Sequence, residues 1–109
     1  MSYRAPLCVP VELRRDGRSR WFRLSTSINQ ELVVLAQICP EEIDGVVNVA
    51  FHLPGDAVPI RCRGRIAEEV VGEGEEQHAE RRLLRFEAME PEASDRISNY
   101  VTERLGLFA

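Results

Sequence analysis

The chain has 109 residues, of which 44% are hydrophobic and 29% charged, with a formal net charge of −4. That length supports one domain with a modest core rather than two, and that balance belongs to a folded globular protein and not a disordered one. Net acidity argues against broad binding to DNA or RNA, and no apolar run approaches the roughly 18–20 residues of a membrane span.

In chain order, Met1 to Pro6 lacks the apolar stretch of a signal peptide, so a cytoplasmic protein is expected. Leu7, Val9, Val11 and Leu13 then alternate with Cys8, Pro10, Glu12 and Arg14, the pattern of a half-buried strand. Pro10 cannot donate to a ladder, so a free edge is expected there. Asp16-Gly17 is a hairpin signal, because Gly tolerates positive φ.

The next strand is read with Phe22, Leu24, Thr26 and Ile28 on one face and Trp21, Arg23, Ser25 and Ser27 on the other. It ends in a polar kink, Ser25 to Gln30. Leu32 to Ala36 follows, an apolar run of a length that suits a buried strand. The kink is where a ligand or partner would be met. Its Ser and Asn side chains are also ordinary turn formers that bond to nearby backbone, and composition alone favours that reading.

Ile38 to Gly45 reads as a loop with a solvated rim of Glu41, Glu42 and Asp44. Val46 to Leu53 is a strand with Val47, Val49, Phe51 and Leu53 inward and His52 outward. Pro54-Gly55-Asp56 is a turn. Val58, Ile60, Cys62, Gly64 and Ile66 share one face of the following strand, and Arg61, Arg63 and Arg65 share the other. That basic ladder suits either an anion or, as the favoured reading, acidic partners on a neighbouring strand. Glu68 to Glu80 carries six glutamates and two glycines and reads as a solvated loop. Arg81 to Met89 returns as a strand with Leu84, Phe86 and Ala88 on one face.

The period then changes. Ala93, Ile97, Tyr100, Val101 and Leu105 form an amphipathic helical stripe. Pro91 suits the first turn, Glu92 and Asp95 complement the positive end of the dipole, and Arg104 and Gly106 suit the last turn and the residue after it. The tail Leu107-Phe108 is a candidate for docking a partner.

The predicted class is mainly β: six short antiparallel strands forming a small barrel or strongly curved sheet, with a C-terminal α-helix across one opening. The whole chain, 1–109, reads as a single domain, with the barrel over about 7–89 and the helix over about 91–105. No repeat or linker interrupts it. The three cysteines, Cys8, Cys39 and Cys62, are odd in number and widely spaced, which points to reduced, buried thiols. With His52 and His78 they make no metal-ligand spacing. No nucleophile–base pair or phosphate loop is present in the pattern, so no enzyme is expected. All fourteen basic residues are arginine. That suits phosphate or guanine edges, but a coding bias would leave the same mark.

Leu24–Leu35 (LSTSINQELVVL), Val47–Ile66 (VNVAFHLPGDAVPIRCRGRI), Leu83–Glu87 (LLRFE) and Ile97–Leu105 (ISNYVTERL) together resemble a PilZ domain, the small barrel family of bacterial cyclic di-GMP signalling. Members that bind the dinucleotide carry an N-terminal Arg-x-x-x-Arg and an Asp/Asn-x-Ser-x-x-Gly at the kink after the second strand. The second motif falls on Ser25, Ser27 and Gln30, where only Ser27 matches. For the first, Arg4 matches, but Cys8 stands where the second arginine belongs. Arg14 and Arg18 have the spacing but flank a hairpin inside the fold.

A hydroxyl makes fewer contacts to a guanine edge than a carboxylate or amide, cysteine deletes a charge-assisted contact, and Gln penalises a positive φ. At on the order of 1–2 kcal/mol each, the losses sum to roughly 3–6 kcal/mol, or about two to four orders of magnitude in affinity. The resemblance therefore implies a PilZ-like adaptor working through a protein partner in motility, pilus or polysaccharide control. It would bind cyclic di-GMP weakly or not at all, with Arg4, Ser25, Ser27 and Gln30 as degraded ligand positions and no cofactor or metal. The alternative is a cyclic di-GMP receptor in which Arg4, Arg20 or Arg23 replaces the missing arginine.

Overall fold

Alternating apolar residues give the strands one buried face, and a sheet with one buried face and free edges is relieved by closing on itself. The computed structural model describes residues 3–15, 19–36, 45–67 and 81–106. Its elements are β1 (Ala5–Pro6), β2 (Pro10–Arg15), β3 (Ser19–Ile28), β4 (Leu32–Ala36), β5 (Gly45–Phe51), β6 (Ile60–Ala67), β7 (Arg81–Met89) and α1 (Pro91–Arg104). Every pairing is antiparallel, in the order β3-β2-β5-β6-β7-β4, and β4 pairs back to β3. Six strands thus close a barrel around Val11, Leu13, Leu35, Val49, Ile60 and Leu84, all at most 2% exposed. Burying each such side chain stabilises the fold by about 1.5–3 kcal/mol.

The first strand read from the sequence, Leu7 to Arg14, starts only at Pro10 as β2, and a short strand before it, β1, was not expected. β1 and β2 both lie along β3, with Pro6 opposite Ser27 and Pro10 opposite Leu24. The inward alternation of Leu7, Val11 and Leu13 survives the break. The pairing of β2 with β5 begins only at Glu12, so Pro10 lies past the end of that ladder, consistent with its missing N–H.

Two bulges overturn the expected phase of other strands. Thr26 is an extra residue on β3 between the Ser25–Leu35 and Ser27–Val34 pairs. Upstream of it Ser25 is buried and Trp21 packs on the core, while Phe22 and Leu24 face outward; downstream Ile28 is buried. A single inserted residue flips every side chain beyond it. Likewise Glu87 is an extra residue on β7 opposite Arg63 and Gly64. Ala88 is therefore exposed, and Met89 packs on the core instead. Gly64 faces inward at this second bulge, where a Cβ would meet the Leu84 side chain and lie 2.9 Å from the Arg85 carbonyl oxygen.

Val58 does not share the face of Ile60 as expected: β6 starts at Ile60, and Val58 is 61% exposed. Val47, Val49, Phe51 and Leu53 are inward as expected, and His52 is outward. The turn after them forms as read: the Asp56 N–H donates to the Leu53 carbonyl at 3.0 Å, and Gly55 has φ 77°.

α1 begins with Pro91 in its first turn and buries Ile97 and Val101, with Ala93, Tyr100 and Leu105 packed beside them. Gly106 at φ 67° ends it. The Tyr100 hydroxyl donates to the Pro6 carbonyl at 2.7 Å, which seats the helix against β1 at one barrel opening. Asp16-Gly17, Arg18, residues 37–44 and 68–80, which the sequence reads largely as loops and which hold Cys39 and His78, and the tail Leu107-Phe108 lie outside the described residues.

Candidate functional site

The corner where β3 turns into β4 carries the polar residues that the sequence singles out. Ser25 is 1% exposed. Its Oγ accepts from the Val9 N–H at 3.0 Å and donates to the Leu7 carbonyl. The hydroxyl therefore bridges the break between β1 and β2. Leu7 N–H reaches the Thr26 carbonyl at 3.1 Å and Ser25 N–H the Val9 carbonyl at 3.0 Å, which pairs further backbone groups across the break.

Asn29, also buried, accepts at Oδ1 from the N–H groups of Glu31 and Leu32 at 2.8 and 3.0 Å. It closes the turn between the strands, as an Asx side chain does. Gln30 is exposed, and its amide nitrogen lies 3.4 Å from both the carbonyl and the hydroxyl of Ser94 in the first turn of α1. Ser27 is half-buried and sits opposite Pro6 and Val34. Arg4 is exposed and immediately precedes Ala5, the partner of Ile28. The corner thus gathers Arg4, Ser27 and Gln30, while the Ser25 side chain points into the fold.

The outer barrel wall differs. Arg14 and Arg20 share Glu12 at 3.6 and 3.5 Å, and Arg20 lies 5.6 Å from the centre of the Phe22 ring. Arg65 meets the bulged Glu87 at 3.0 Å, as the acid-pairing reading of the ladder expects. Arg61 and Arg63 do not follow it: across β5 they face Ala50 and Asn48, and no carboxylate of the described residues lies within 4 Å of either. Arg23, by contrast, folds its Nη1 onto the Phe22 carbonyl at 2.8 Å.

Between wall and helix, Arg96 clasps the β5–β6 turn. Its Nε donates to Asp56 Oδ2 at 3.0 Å, and its Nη2 reaches Asp56 Oδ2 and the Val58 carbonyl. The Arg96 hydrogen bond, with a further one from Val58 N–H, holds the Asp56 carboxyl below its ordinary value of 3.8. Burial pushes the Cys62 thiol up to about 12, so it stays protonated and unreactive. Cys8, expected buried, is exposed because it falls on the outward phase between β1 and β2. Among the described residues no group of three or more His, Cys, Asp or Glu could hold a metal, and no helix is long and apolar enough to cross a membrane.

Solved structures with this architecture include the Bacillus subtilis inhibitor of motility, MotI/DgrA. It aligns with a TM-score of 0.78 at 11% identity, over 100% of this chain and 52% of that one. The PilZ domain of CeSA from a cellulose-synthesizing bacterium aligns with a TM-score of 0.57 at 15% identity, over 96% of this chain and 97% of that one. The chain has a PilZ-like fold. It spans about half the length of MotI/DgrA. No protein-family model and no curated protein matches the sequence.

Ser25, Ser27 and Gln30, which the resemblance singles out, lie at the end of β3 and in its turn to β4. The sequence reading put Phe22 and Leu24 on one face with Ile28 and missed their outward turn, because the Thr26 bulge splits that set and only Ile28 is buried. Only the alternate phase, with Trp21 inward, would have found them.

Proposed function

We propose that the protein is a non-enzymatic PilZ-like regulatory adaptor of the bacterial cytoplasm. It acts by protein–protein contact in a signalling or motility system and binds cyclic di-GMP weakly or not at all. The observation that carries this reading is the Ser25 hydroxyl. It stands where the family's ligand-binding members have Asp or Asn, and it is engaged on both sides by the backbone of Leu7 and Val9. A dinucleotide arriving at the corner finds the Ser25 hydroxyl already engaged, and recruiting it would leave two backbone groups unsatisfied at about 1–3 kcal/mol each. The motility inhibitor among the structural neighbours makes motility control the first process to test.

Calorimetric titration of cyclic di-GMP into the purified protein tests it directly. The expected trace is heat of dilution only; binding in the micromolar range or tighter overturns the reading. One observation favours a receptor instead: Arg4 is exposed beside the same corner as Ser27. In that case Arg4→Ala and Ser27→Ala each abolish a measured cyclic di-GMP affinity. Arg20 and Arg23 are poorer candidates, since Glu12 and the Phe22 carbonyl already engage them.

A further inference from the structure

Two depressions run side by side across the outside of the barrel. The larger, of about 740 Å³, has apolar walls that include Pro10, Phe22, Leu53, Pro54 and Pro59. The smaller, of about 430 Å³, is walled by Arg14, Asn48, Arg61, Arg63 and Ala88. Glu12, Ala50 and Arg61 line both, so the two make one trough with an apolar end and a basic end. Phe22 is 54% exposed in it, and Leu24, the next outward residue of β3, is 53% exposed. Solvated side chains of this size need a reason when they adjoin a groove. The carboxylates here are already committed: Glu12 to Arg14 and Arg20, and Asp56 at the apolar end to Arg96. Arg61 and Arg63 at the basic end have no such partner among the described residues.

We infer that this trough docks a segment of a partner protein in which apolar side chains are followed by carboxylates. The inference rests on the adaptor reading and adds the face and the chemistry it recognises. Charge complementarity selects the occupant. Arg61 and Arg63 draw carboxylates to the basic end, and the apolar end takes the apolar side chains, which fixes how the segment lies in the trough. Arginine forks match carboxylates in a bidentate way, and Phe22 supplies the aromatic anchor that such interfaces centre on. A bilayer is the poorer fit, because Pro10, Leu53, Pro54 and Pro59 line a depression rather than a flat face.

Fluorescence anisotropy on the intact chain tests this with labelled short peptides. The first carries phenylalanine and leucine followed by glutamates. The second has lysine for glutamate, and the third has serine for the apolar residues. The first should bind at least about tenfold more tightly than either other. Phe22→Ser should weaken it about tenfold, and Arg61→Glu with Arg63→Glu should reverse the preference towards the lysine peptide. All three side chains are exposed, so unchanged circular dichroism is expected of the variants.

Equal binding of the acidic and basic peptides, binding of none, or no response to the charge reversal overturns the inference. Binding to phosphatidylglycerol vesicles as tight as to the first peptide also overturns it, in favour of a lipid surface. Cyclic di-GMP binding alongside intact peptide selectivity would remove the ligand-free adaptor and leave the groove standing. Lost peptide selectivity without nucleotide binding would remove the groove and leave an adaptor that docks elsewhere.

Discussion

The β3–β4 corner and the outer wall of β2, β5 and β6 are both rich in polar side chains, yet they use them in opposite ways. At the corner, Ser25, Asn29 and Gln30 all turn their hydrogen-bonding groups onto the protein's own backbone or helix. On the wall, Arg61 and Arg63 are exposed, and Arg61 lines the same groove as the exposed Phe22 ring. A buried polar group left unpaired is costly, so the corner is read as architecture. An exposed arginine costs the fold little to leave unpaired, so the wall is where recognition can be built without loss of stability.

The sharpest way to break that contrast is to put a carboxylate at the corner in place of the Ser25 hydroxyl. Ser25→Asp places a carboxylate against the Leu7 carbonyl with no proton to donate, and should destabilise the protein by about 3 kcal/mol or more in urea denaturation. If it is tolerated and gains cyclic di-GMP affinity, the corner is a latent site and not a strut. Ser25→Ala should cost about 1–3 kcal/mol, since it leaves the Val9 N–H and Leu7 carbonyl unpaired. Gly64→Ala should fall in a similar range, about 1–3 kcal/mol by thermal melting, because its Cβ must push back the Arg85 carbonyl at the second bulge.

The clasp between Asp56 and Arg96 gives a smaller effect with a definite pH signature. The folded-state pKa of Asp56 is depressed, so its contribution is present above the ordinary value of 3.8 and is lost as pH falls below it. The stability gap between the wild type and Asp56→Asn should stay constant from neutral pH down to about 5 and close below about 4. A gap that widened on acidification would contradict the sign. Smallest of all, Arg61→Ala and Arg63→Ala should leave the melting free energy within about 0.5 kcal/mol of wild type. A larger loss would mean that the wall is structural too, and the contrast would fail.

The barrel and its helix were legible because they depend on local patterns. Val47, Val49, Phe51 and Leu53 alternate without interruption, and the stripe from Ala93 to Leu105 keeps its period to the Gly106 stop. What was not legible was anything set by an insertion in the ladder. Thr26 and Glu87 look like ordinary strand residues, and only the pairing with β4 and β6 makes them extra. That hid the outward turn of Phe22 and the exposure of Ala88. The corner was half legible. Its turn chemistry was the favoured reading, but the partners of Ser25 lie 16 and 18 residues away, beyond any local signal. Arg65 differs from Arg61 and Arg63 only through the bulged Glu87 across the strand, which again no composition reveals.

The Tyr100 hydroxyl joins the last helix to the first strand across 94 residues of sequence, and Tyr3 lines the same small cleft as Val101 and Thr102. The polypeptide therefore enters and leaves the barrel side by side. Such a unit can be spliced into a loop of a host protein without prising that host apart, and a circular permutant that links the two ends with a short tether should keep the same ring of strands.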